Sequence, residues 1–133
     1  MSGTEYLRSR IRSIQIALDG VKQVIITQQN ARIHAGFSLA VVLLGMLFNI
    51  SRWEWMVLLL VIGLVWTAEI FNTAVEMMTD LISPEDNPLI KTIKDISAGA
   101  VMVAAIISIL VGLMLFGPRL WDRIINVIHT INN

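Results

Sequence analysis

Uncharged apolar stretches alternate with short charged ones along this chain. Ile33 to Ser51 holds no Asp, Glu, Lys or Arg over 19 residues. Trp55 to Ala68 is a second clean run, and its apolar pattern continues to Leu81. Ile96 to Pro118 is a third, with 23 residues free of formal charge. A helix needs about 20 mostly apolar residues to cross about 30 Å of hydrocarbon. The first and third blocks meet that directly, and the second meets it if the membrane accepts Glu69, Asn72 and Glu76. The pattern predicts transmembrane helices over 33–51, 55–80 and 96–117. Continuous rather than alternating apolar runs argue against a barrel.

The flanking segments carry their own patterns. Over 6–27, Leu7, Ile11, Ile14, Leu18, Val21 and Ile25 recur at helical spacing, opposite Arg8, Arg12, Asp19 and Lys22. That predicts an amphipathic helix lying on a membrane surface, the alternative being a helix packed on the loops. Ser83-Pro84-Glu85-Asp86-Asn87-Pro88 reads as a loop that stops the second span. Gly117-Pro118 is expected to end the third. The tail 118–133, with Leu120, Trp121, Ile124, Ile125, Ile128 and Ile131 in a stripe, is expected to return to the outer membrane surface. The first apolar block begins too far along the chain to resemble a cleaved leader. The expectation is one all-α integral membrane domain over 1–133.

Composition agrees. Apolar residues make up 56% of the chain and charged ones 15%, too little polar surface to cover a soluble globule. Ten basic and ten acidic residues balance, so nothing points to nucleic acid. The absence of cysteine excludes disulfides, Cys-ligated zinc and thiol catalysis. With the N-terminus inside, seven Lys/Arg face the inner side and three the outer. The N-terminus and the second loop are therefore expected in the cytoplasm.

Candidate chemistry concentrates on the second span. Glu69, Asn72, Glu76 and Asp80 stand at i, i+3, i+7 and i+11, and so share one helix face. A carboxylate at membrane depth costs about 2.5–3.5 kcal/mol or more, so it has a partner or a task. Glu69 suits proton uptake, and Glu76, nearer the cytoplasm, suits a divalent cation. Lys94 can neutralise a phosphate and Asp95 can coordinate a cation. No G-x-x-x-x-G-K-[ST] phosphate loop occurs. Plainer readings stand beside these. Glu69 and Asn72 could be interhelical glue, and Glu76, Asp80, Lys94 and Asp95 solvated helix ends. His34 reads as an interfacial anchor rather than a metal ligand. Trp53, Trp55, Trp66 and Trp121 read as interface anchors. Ala100, Ala104, Ser108 and Gly112 read as a close-packing seam.

Three motifs together resemble one family. They are Glu69-x-x-Asn72-Thr73-Ala74-x-Glu76-x-x-x-Asp80, Ser83-Pro84-Glu85-x-x-Pro88-Leu89, and Lys94-Asp95-x-x-Ala98-Gly99-Ala100-Val101. With Gly20 and Asn30-x-Arg32-Ile33-His34 upstream, the pattern is similar to the prokaryotic diacylglycerol kinases, whose other main branch is undecaprenol kinase. The resemblance covers roughly residues 8 to 117. It implies a homotrimer of three-span subunits with a surface helix, in the bacterial cytoplasmic membrane. It also implies transfer of the γ-phosphoryl group of ATP, with Mg²⁺, to a lipid alcohol. By resemblance, Glu69 is the general base and Asn72 its positioning partner. Glu76 binds Mg²⁺. Gln28, Glu76, Glu85, Asp86, Asn87, Lys94 and Asp95 face the nucleotide. Glu69, Arg32, Ser97 and Ala98 face the lipid. The chain departs from the family where Gln28 replaces the usual glutamate of the second metal ligand. Ile16 stands where an aromatic residue is usual, and Asp86-Asn87 where Tyr-His is usual.

Two other functions fit the same residues less closely. A proton relay would use Glu69 and Glu76, but no ionisable residue lies between Glu54 and Glu69 to continue it. A structural membrane protein would use Glu69 only for packing. The kinase reading leaves diacylglycerol and undecaprenol both open as acceptors.

Overall fold

A computed structural model describes residues 3–82 and 87–131 as four helices. They are α1 (Gly3–Thr27), α2 (Gln29–Leu47), α3 (Arg52–Ile82) and α4 (Pro88–Ile131). α2, α3 and α4 are each long and apolar enough to cross a membrane. α3 is central: it packs mainly on α4, less on α2, and touches α1. Its buried face explains this. Leu58, Val65, Asn72 and Thr79 recur every seven residues, with Glu69 and Thr73 beside them. That period keeps one seam turned toward neighbouring helices.

The connections follow from local chemistry. Gln28 alone separates α1 from α2, in extended conformation at φ −100° and ψ 124°. α2 stops at Leu47, earlier than the uncharged run to Ser51 suggests, because Asn49 takes φ 52°. Asn tolerates this left-handed conformation better than most residues. Ile50 N then donates to Gly45 O and Asn49 N to Met46 O, both at 3.2 Å, a Schellman closure. Ser51 and Glu54 form a reciprocal capping box that starts α3. Ser51 N donates to Glu54 Oε2 at 2.8 Å and Glu54 N to Ser51 Oγ at 3.4 Å. α4 opens on Pro88, with Asn87 Oδ1 accepting from Leu89 N at 2.9 Å.

The helix end expected at Gly117-Pro118 is not there. α4 runs through Pro118 for 44 residues, about 66 Å at 1.5 Å per residue. Proline removes one donor from the backbone ladder. The carbonyl left without its donor is that of Met114, four residues back; Arg119 Nη1 donates to the next one, Leu115 O, at 2.5 Å. Arg119 Nη2 also grips both Glu54 oxygens, at 2.8 and 3.0 Å. This pair fixes α4 to the start of α3 just where the ladder is interrupted. Residues 120–130 beyond it are exposed.

Ile50, Leu58 and Phe116 form the apolar core at this end, with Phe48, Trp55 and Leu115 packed on it. Trp55 and Trp66 are thus not simple interface anchors. Trp55 lies over Gly45, and Trp66 Nε1 donates to Ser38 Oγ on α2 at 3.2 Å. Trp53 and Trp121 are exposed. Of the small-residue seam, Ala104 is buried and Ser108 donates to Val61 O, whereas Ala100 is exposed. A Cβ on Gly45 would lie 2.9 Å from Trp55 Cη2 and 3.1 Å from Ile50 Cδ1. Gly45→Val should therefore lower stability by about 1–3 kcal/mol, read by unfolding in detergent micelles. Unchanged stability would contradict this packing.

Candidate active site

At the opposite end of α3 the seam turns polar. Glu69 is only 2% exposed, and Asn72, Thr73 and Thr79 are also buried. The threonines are satisfied within the helix: Thr73 Oγ1 donates to Glu69 O, and Thr79 Oγ1 to Val75 O. The acids and amides bond to one another along α3 and to its neighbours. Asn72 Nδ2 donates to Glu76 Oε1 at 2.9 Å, while Ser97 Oγ on α4 donates to Asn72 Oδ1 at 2.7 Å. The second Glu76 oxygen accepts from Gln28 Nε2 at 3.4 Å. These bonds fix the Asn72 amide, because the flipped form would turn its oxygen onto the carboxylate. The break at Gln28, the middle of α3 and the start of α4 are thereby tied in one polar column. One turn beyond Glu76, Lys94 Nζ pairs with Asp80 Oδ1, again joining α4 to α3.

Glu69 stands apart from this column. Its Oε2 is buried without a hydrogen-bond partner among the described residues. His34 Nε2 on α2 approaches to 3.9 Å, beyond hydrogen-bond range. Buried polar atoms are nearly always paired, so an unpaired carboxylate oxygen marks this side chain as a candidate for chemistry. His34 is the residue whose place the sequence reading missed. Only the antiparallel register of α2 on α3, set by the turn at Asn49, brings it opposite Glu69.

The remaining predicted residues fall unevenly. Arg32 does not face Glu69: Arg32 Nη1 donates to Ile26 O at 3.0 Å, across the break before α2. Ser97 belongs to the Asn72 bond, and its neighbour Ala98 is exposed. Asp95 is exposed and makes no ion pair among the described residues. Asn87 caps α4. Glu85 and Asp86 lie outside the described residues.

Among the described residues, no group of three or more His, Asp or Glu side chains could cage a metal. Mg²⁺ rarely needs such a cage. It keeps waters and typically binds through one or two carboxylates plus substrate phosphates. Glu76, with amides on both sides, fits that partial donor set.

Residues 15–116 match the family described as prokaryotic diacylglycerol kinase. The chain belongs to that family. It is 42% identical over 101 residues to an undecaprenol kinase of Bacillus subtilis, covering 76% of this chain and 82% of that protein. It is 38% identical over 109 residues to a diacylglycerol kinase of Synechocystis sp., covering 81% of this chain and 62% of that protein. Family membership makes the protein an enzyme, a phosphotransferase of the lipid-kinase class. The segment 117–133 lies beyond the matched region.

The column gives a stability test. Asn72→Leu keeps the volume but strands one Glu76 oxygen and leaves Ser97 bonded only to the Lys94 carbonyl of its own helix. It should cost about 1–3 kcal/mol, measured by unfolding in bicelles, as expected for buried polar groups left without partners. No loss would mean that the column does not hold α3 to α4.

Proposed function

We propose that the protein transfers the γ-phosphoryl group of MgATP to the hydroxyl of a membrane lipid alcohol, diacylglycerol or undecaprenol. The observation that carries this reading is the buried Glu69 Oε2, unpartnered among the described residues, beside a polar column in a helix long and apolar enough to span a membrane. Glu69 accepts the alcohol proton. The alcohol oxygen then forms a bond to the γ-phosphorus. The bond from that phosphorus to the bridging oxygen breaks, and its electron pair leaves with ADP. Phosphoryl transfer asks the protein for alignment and charge neutralisation rather than covalent participation.

The other residues divide that work. Asn72 holds the line between Glu69 and Glu76 by bonding to Glu76 and Ser97. Glu76, with Gln28 alongside, would hold Mg²⁺, which when bound would supply charge neutralisation on the phosphates. Lys94 exchanges its Asp80 partner for a phosphate oxygen. Asp95 and the 85–87 segment border the nucleotide. Ser97, Ala98 and Arg32 border the lipid headgroup region. The N-terminus and the loop before α4 face the cytoplasm, in line with the basic-residue bias. α1 lies on the membrane surface with Leu7, Ile11, Ile14 and Leu18 down. Those side chains are uncovered in the monomer. The many uncovered apolar side chains of α2, α3 and α4 serve lipid contact and a homotrimer.

Two outcomes test these roles. Glu69→Gln keeps size and removes the base. It should fold normally while the transfer rate from radiolabelled ATP falls on the order of 10²–10⁴-fold. Wild-type turnover in that variant would refute the assignment. Gln28→Glu adds a charged oxygen beside Glu76, so the Mg²⁺ concentration giving half-maximal activity should fall severalfold, since cation sites tune affinity through ligand charge. An unchanged or higher Mg²⁺ requirement would remove Gln28 from the metal site.

A further inference from the structure

α4 outruns the helix it packs on. Glu54, in the first turn of α3, pairs with Arg119, and α4 then continues to Ile131, about three more turns. Val101, Ala104, Ser108, Leu115 and Arg119 recur at helical spacing on the side of α4 that meets α3. Past Arg119 the same stripe turns polar, with Asp122, Asn126 and His129, because no α3 remains to cover it. The opposite stripe does not change. Ile106, Leu110 and Leu113, uncovered along the span, are followed by Leu120, Ile124 and Ile128, uncovered too.

What covers this face follows from its width and its height. Residues 120–130 are all exposed, yet their apolar and polar side chains are fully segregated. Leu120, Trp121, Ile124, Ile125, Val127 and Ile128 fill an arc of about 160° at roughly 100° per residue, and Asp122, Arg123, Asn126, His129 and Thr130 fill the remainder. A paired helix needs only a narrow seam of two positions in about seven, whereas so broad an arc suits a continuous apolar phase. Trp53, beside Glu54, is 76% exposed, and Trp121, two residues past Arg119, is 64% exposed. Exposed tryptophans at one level mark a membrane–water boundary, so the segment begins at headgroup height. Pro118 gives no donor to Met114 O, and helices bend at such points while remaining helical. A bend there toward the apolar stripe turns that stripe onto the bilayer.

We infer that residues 120–130 dock as a surface helix on the phospholipid face at the Glu54 end of the bundle, opposite the Glu76 column. The apolar side chains enter the boundary between headgroups and acyl chains, and Arg123, at the edge of the arc, extends to the phosphates. The Glu54–Arg119 pair lies at the root of the segment, so docking sets the height of α4 and of the start of α3 together. The inference stands apart from the kinase reading, since the segment lies outside the matched residues 15–116 and at the far end of α4 from the polar column.

The test uses the full chain in bilayer discs of phosphatidylethanolamine and phosphatidylglycerol, which leave both faces open to reagents. The chain has no cysteine, so one introduced cysteine carries one spin label. Ile124→Cys and Ile128→Cys place it on the apolar arc, Asn126→Cys and Thr130→Cys on the polar one. Oxygen reports contact with lipid, and a water-soluble nickel complex reports contact with solvent. The ratio of oxygen to nickel access should be severalfold higher at 124 and 128 than at 126 and 130, with the first pair about 5–10 Å below the headgroup surface. High nickel access at all four positions would mean a segment standing in water and would overturn the inference. So would positions 124 and 128 closed to both reagents, which would mean cover by a second copy of the chain. A second measurement needs no substitution: a phospholipid carrying a photoactivated diazirine near its glycerol should leave adducts on Trp121 to Ile128 of the wild-type protein, located by mass spectrometry. Adducts confined to residues before Arg119 would overturn the inference as well.

Discussion

An acid buried among transmembrane helices has to be matched, and the rest of this structure is arranged around how that is done. Water is scarce at that depth, so each carboxylate must find a donor within the protein or be neutralised. Glu76 finds two amides, from Asn72 and Gln28. Nearer the two ends of α3 and more open to solvent, Asp80 pairs with Lys94 and Glu54 with Arg119. Glu69 is left with an oxygen unpaired among the described residues and a histidine just out of bonding range. Three of these four acids tie helices together. The fourth keeps one buried oxygen without a partner among the described residues, and the proposed role of Glu69 rests on that.

The two ends of α3 divide the labour. The Leu58 end is an apolar core closed by the Schellman turn at Asn49 and by the Glu54–Arg119 pair. It fixes the register of α2 and α4 on α3. That register then decides which side chains meet about 16 Å away at Glu69. A shift of one residue in the turn would move His34 off Glu69 and Gln28 off Glu76. Stability at one end thus supports geometry at the other.

The sequence makes one dimension of this legible. Glu69, Asn72, Glu76 and Asp80 share a face by spacing alone, and the three spans follow from charge-free length. Pairings between helices are another matter. Gln28 to Glu76 and His34 to Glu69 are separated by 48 and 35 positions, and helical periodicity carries no information across a turn of unknown register. Trp55 and Trp66 look like surface anchors because composition cannot tell a lipid-facing ring from one laid over Gly45 or bonded to Ser38. Pro118 looks like a stop because its local rule is strong. The pairing of Arg119 with Glu54 holds the helix there from outside the range that a local rule sees.

The central claim is that Glu69 takes up a proton in a water-poor site shared with a lipid hydroxyl. Carbodiimides soluble in the bilayer react with protonated carboxyl groups in such sites, so labelling wild-type protein with one and locating the adduct by mass spectrometry tests it directly. The account predicts modification at Glu69, loss of activity in step with it, and protection of both by excess lipid alcohol. Complete modification of Glu69 with activity intact would contradict it.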